Sequence, residues 1–121
     1  MLVAVAGPYS APTHEERVAN LDRMNCAAVD VLRKGHIPVI GVNAALPVVA
    51  RLPEAERYDA IMDISLALVG QCDAILHIAS SPGADRERDL VASLGRPVYR
   101  SITEIPDAPT GSQAAAAPAD R

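Results

Sequence analysis

The sequence predicts a single α/β domain, a doubly wound parallel sheet of about four or five strands flanked by helices. Three observations predict it. Short apolar runs recur at 2–6, 36–42, 73–79 and 97–99. The longer segments between them carry apolar residues at spacings of three and four, the period of a helix with one buried face. Glycine or proline stands at nearly every junction.

The first run, Leu-Val-Ala-Val-Ala at 2–6, is closed by Gly7-Pro8 and has the continuous apolar character of a strand buried on both faces. Thr13 with Glu16 three residues later forms a capping box. From there Val18, Leu21, Met24, Ala27, Ala28, Val31 and Leu32 trace one face of a helix over 13–34, ended by Gly35. The second strand, 36–42, contains Pro38, which assigns it to a sheet edge. Residues 43–57 form a connection with a short helical stretch around 44–52. A second main helix over 58–71 carries Ile61, Ile64, Leu66, Leu68 and Val69 on its apolar stripe. The third strand, 73–79, runs into the loop Ser80-Ser81-Pro82-Gly83, and a third helix over 84–94 leads past Gly95 to a fourth strand at 97–99. Parallel strands joined by helices require right-handed crossovers, which makes the domain Rossmann-like or flavodoxin-like. The domain spans 1–105; residues 106–121, rich in Pro and Ala and without periodicity, are expected to be a disordered tail.

Composition narrows the function. The chain has three Tyr and neither Phe nor Trp, so it lacks the aromatic platforms on which single-stranded nucleic acids stack. A formal charge of -4 gives no basic field for a phosphate backbone, so no nucleic acid polymer is expected as partner. Two cysteines, Cys26 and Cys72, supply no disulfide framework. The apolar start lacks a basic leader, and no apolar run approaches the roughly 20 residues of a membrane span, so a cytoplasmic protein with no membrane partner is expected. His14, His36, His77 and the cysteines show no metal-ligand spacing, so no metal is expected. Neither G-x-G-x-x-G nor G-x-x-x-x-G-K-[ST] is present, and no cofactor is expected.

In open α/β sheets ligands sit outside the carboxyl ends of the strands. Here those ends carry Gly7-Pro8-Tyr9-Ser10, Val42-Asn43-Ala44 and Ser80-Ser81-Pro82-Gly83. The first and third offer backbone N–H groups and hydroxyls beside a helix N-terminus, a setting suited to an anion.

The stretch Ala6-Gly7-Pro8-Tyr9-Ser10, then Cys72-Asp73-Ala74-Ile75-Leu76, then Ser81-x-Gly83-Ala84-x-x-Glu87-x-x-Leu90-x-x-x-Leu94-Gly95-x-Pro97-Val98 resembles the nucleoside 2-deoxyribosyltransferase-like superfamily. It is most similar to the branch called domain of unknown function 4406. The resemblance implies that Glu87, in the first turn of the third helix, attacks the anomeric carbon of a nucleoside or nucleotide as a carboxylate nucleophile. It implies that Ser81, where nucleoside-specific relatives carry an aspartate, sits near a 5'-phosphate, with Ser10 as a second contact. Gly7, Pro8, Tyr9, Asn43 and Gly83 complete the expected substrate-binding set. Arg86, Arg88 and the helix N-terminus are expected to keep Glu87 ionised. Relatives commonly carry an acid eight residues before the aspartate that opens the third strand. This chain has Ser65 there, which leaves Asp63 as the second catalytic candidate although a two-residue offset turns it by about 200° around the helix. The resemblance further implies a homodimer or higher homo-oligomer. The expected activity is N-glycosidic bond cleavage or transfer, as an N-glycosidase or deoxyribosyltransferase; the alternative is a noncatalytic nucleotide-binding or sensor domain of the same fold. Without the resemblance, Glu87 is an acidic residue in a helix first turn and Ser81 a helix cap.

Overall fold

A computed structural model of the chain describes residues 1–109. Its sheet has four parallel strands, β1 (Leu2–Ala6), β2 (Ile37–Val39), β3 (Ala74–His77) and β4 (Val98–Tyr99), in the order β2-β1-β3-β4. The helices are α1 (His14–Arg33), α2 (Gly41–Val49), α3 (Glu54–Val69) and α4 (Pro82–Ser93), and a short 3-10 turn follows at Ile102–Glu104.

Helices cover both faces of β1. Val3 and Val5 point to one face, where they pack with Met24 and Val31 of α1, Val42 of α2, and Ile105. Ala4 and Ala6 point to the other, against Val69 of α3 and Ala84 and Val91 of α4. Since β1 must be apolar on both faces, its unbroken Leu-Val-Ala-Val-Ala run follows directly. Pro38 lies on β2 at the sheet edge, where the missing N–H leaves no ladder bond unmade. Gly35 and Gly95 adopt φ of +88° and +72° to end α1 and α4, a region that side chains with a Cβ rarely enter.

Several boundaries differ from the sequence expectations. β2 ends at Val39, and α2 begins at Gly41, so the Val42-Asn43-Ala44 segment expected as a loop is the first turn of a helix. The apolar run His36 to Val42 contains both elements because Val42, Ala45 and Val49 form a buried helical face that continues the strand's hydrophobicity. Helix α3 starts at Glu54, after Pro53, four residues before the expected start at 58. Helix α4 starts at Pro82, not at 84. On α1 only Met24 and Val31 of the expected apolar face are buried, while Val18 and Leu32 are exposed. Cys26 is exposed as well.

The chain stays attached to the domain beyond Ile105. The Ala108 N–H donates to the Lys34 carbonyl at 2.8 Å, and His36 Nε2 lies 2.6 Å from the Pro106 carbonyl oxygen. The expected disordered tail therefore begins too early at 106, and its remainder, 110–121, lies outside the described residues. Among the described residues no helix is long and apolar enough to cross a membrane.

Candidate functional site

The order β2-β1-β3-β4 puts the change of winding direction between β1 and β3, and a crevice opens at the carboxyl ends of these two strands. It holds a cavity of about 220 Å³. Gly7, Tyr9 and Ser10 enter it from the β1 end, and Ser81, Gly83 and Glu87 from the β3 end. The walls opposite come from α2 and α3 through Val42, Tyr58, Ile61 and Met62.

Glu87 is the buried acid of this cavity, with 5% of its surface exposed. Its Oε1 accepts a 2.8 Å hydrogen bond from Ser65 Oγ, which is fully buried on α3. Ser65 also stands where α2 and α3 approach most closely, at Gly41. A Cβ on Gly41 would collide with the Ser65 hydroxyl and lie 2.7 Å from its Cβ. Gly83 serves a similar purpose on the other wall, where an added Cβ would stand 3.2 Å from Met62 Sδ.

Burial pushes the Glu87 carboxyl up to about 7, against the hydrogen bond from Ser65, which lowers it. The expectation of a carboxylate held ionised by its neighbours is thereby corrected, and two structural facts explain it. Because α4 begins at Pro82, Glu87 lies in the second turn, where the helix N-terminal potential has largely decayed. Arg88 turns outward to Asp89 at 3.0 Å and Asp85 at 3.4 Å, and among the described residues neither it nor Arg86 forms an ion pair with Glu87.

The loop before α4 is held firmly. Ser81 caps the helix by accepting from the Ala84 N–H at 3.1 Å, and Pro82 occupies the first helical position, which needs no N–H. Ser80 Oγ donates to both oxygens of Asp85, and His77 Nε2 lies 2.9 Å from Asp85 Oδ1. Hydrogen bonds from Ser80 first and His77 second hold the Asp85 carboxyl below the usual carboxylate range.

Three expected site residues are not part of the cavity lining. Asp63 is exposed on α3, since the helical turn that aims Ser65 inward carries a residue two positions earlier outward. Asn43 is exposed in the first turn of α2, and its Nδ2 donates to Asn25 Oδ1 at 2.8 Å. Pro8 is half-buried between two lining residues and does not line the cavity itself. Tyr58 and Met62, by contrast, escaped the sequence reading. Their signal was present, because Tyr58, Ile61, Met62 and Ser65 follow a helical period, but with α3 started four residues late Tyr58 was its first residue.

No protein-family model, curated protein or solved structure matches the chain. The cavity contains one carboxyl group that burial pushes up to about 7, largely apolar walls, and hydroxyls of Ser10, Ser81, Tyr9 and Tyr58. A carboxyl group so placed can act as a nucleophile when ionised or as an acid when protonated. Among the described residues no three His, Cys, Asp or Glu side chains cluster to hold a metal ion.

Proposed function

We propose that this protein belongs with the nucleoside 2-deoxyribosyltransferase-like enzymes, and that it cleaves or transfers the N-glycosidic bond of a nucleoside 5'-monophosphate or nucleoside. The observation that carries the proposal is the Glu87 carboxyl, almost fully buried at the wall of a crevice shared by the β1 and β3 ends.

In the proposed reaction a Glu87 oxygen bonds to the anomeric carbon while the bond from that carbon to the base nitrogen breaks, and the base takes the bonding electrons and a proton from solvent. Water then displaces the carboxylate and releases the sugar, or a second base displaces it and leaves bonded to the sugar as a new nucleoside or nucleotide. The buried setting supports this role, because a weakly solvated carboxylate next to a developing oxocarbenium ion is stabilised most where that positive charge forms. Ser10 and Ser81, at the mouths of the two strands, are assigned to the 5' end of the sugar, and Tyr9 and Tyr58 to the rim of the base pocket. Dimerisation or higher assembly belongs to the same proposal, and the exposed Val18, Val29 and Leu32 of α1 give it an apolar surface.

Incubation with a panel of ribo- and deoxyribonucleoside monophosphates, with chromatographic detection of free base, tests the activity. Base release by the wild type and none by Glu87→Ala supports it; equal, negligible release from every substrate by both proteins removes it. One observation favours a second reading, a noncatalytic nucleotide-binding or sensor domain: among the described lining residues Glu87 is the only carboxylic acid, so no partner acid faces the leaving base. Saturable nucleotide binding without turnover is the signature of that reading.

A further inference from the structure

A second cavity of about 630 Å³ adjoins the first, and Tyr9, Ser10, Tyr58 and Ile61 line both. The inner cavity, at about 220 Å³, is smaller than the roughly 300 Å³ at which sites for small organic ligands begin. A nucleotide seated against Glu87 must therefore extend past Ser10 into the outer one. The two cavities differ in chemistry. The inner wall is apolar around one carboxyl group, whereas the outer one gathers Arg17, Arg57 and His14, with Glu54 as its single acid.

Both arginines are oriented yet uncommitted. Arg17 Nη1 donates to the Ala11 carbonyl at 2.9 Å and Arg57 Nε to the Leu52 carbonyl at 3.0 Å, which fixes each guanidinium by one edge. Among the described residues neither has a carboxylate within ion-pairing distance, unlike Arg88, which spans Asp85 and Asp89. Guanidinium groups held by one edge, with free N–H donors on the other, match the oxygens of a phosphate.

We infer that the outer cavity is an anion subsite in which Arg17 and Arg57 hold the phosphate-bearing end of the ligand. The inference rests on the proposed function for the ligand's other end, beside Glu87, and it assigns the phosphate to Arg17, Arg57 and Ser10, leaving Ser81 as a helix cap and sugar contact. Binding weakens as salt screens the guanidinium groups.

Titration of the full-length protein with inorganic phosphate, followed by amide and arginine Nε chemical shifts, tests it. Shifts are expected at Ser10, Arg17 and Arg57, with the Kd raised about tenfold or more in Arg17→Gln/Arg57→Gln and unchanged in the charge-matched control Arg33→Gln/Arg100→Gln. Equal weakening by both double variants, or shifts confined to residues 81–84, overturns the subsite. Circular dichroism of each variant establishes that it is folded. The two proposals fail separately: phosphate binding that depends on the arginines without base release keeps the subsite and removes the enzyme. Base release with a KM unmoved in the arginine variant does the reverse.

Discussion

Ser65 Oγ donates a 2.8 Å hydrogen bond to Glu87 Oε1, between two side chains that solvent scarcely reaches. The bond joins α3 to α4 across the wall of the inner cavity, and it opposes the effect of burial on the Glu87 carboxyl. Replacing Ser65 by Ala deletes the donor. Glu87 then titrates higher still, and the protein loses about 1–3 kcal/mol of stability. The loss is larger at pH 8.5, where an ionised carboxylate is left without its donor, than at pH 5.5. Urea denaturation at the two pH values measures the difference.

Glu87 also sets a pH dependence of its own. Its carboxyl moves from an ordinary 4.5 to about 7 on folding, so between these values the folded state binds the proton that the unfolded state has released. The stability this group contributes is fully present below pH 4.5 and is lost as pH rises through about 7. Its full size is on the order of 3 kcal/mol. Glu87→Gln removes the slope, so the variant's thermal midpoint exceeds that of the wild type at pH 8.5 and the two converge toward pH 5. A midpoint difference that does not vary with pH contradicts the assignment.

Gly41 is the third test. An added methyl group meets the Ser65 hydroxyl and backbone at the closest point of α2 and α3, so Gly41→Ala forces the helices apart. A destabilisation of about 1–3 kcal/mol is expected, with disturbance of the Ser65 to Glu87 bond. Asp63→Ala is the contrasting substitution: exposed and away from both cavities, it should change stability by less than about 0.5 kcal/mol and leave base release intact.

The strands and the sheet were legible because their signals are local. A buried parallel strand reads as a continuous apolar run, as 2–6 and 74–76 do, and Pro38 identified the edge. The place of Glu87 followed from the topology, since residues after β3 must emerge at the carboxyl edge beside those after β1. Three features were not legible. The start of α2 is hidden in a continuous apolar run that serves first as strand and then as helix face. The proton affinity of Glu87 depends on how deeply α3 and α2 bury it, which the neighbouring Arg86 and Arg88 in sequence do not reveal. The hold on residues 106–108 depends on Lys34 and His36, some seventy positions earlier, which no composition signal encodes.

The proposed activity requires the Glu87 carboxylate to act as the nucleophile. Intact-mass and peptide analysis of the protein, acid-quenched during turnover of a deoxynucleoside monophosphate at pH 8, tests that most directly. The predicted result is a sugar-phosphate adduct on the peptide that contains Glu87, formed more slowly below pH 7 and absent from Glu87→Gln. Base release that persists in Glu87→Gln, or an adduct on a different residue, would contradict it.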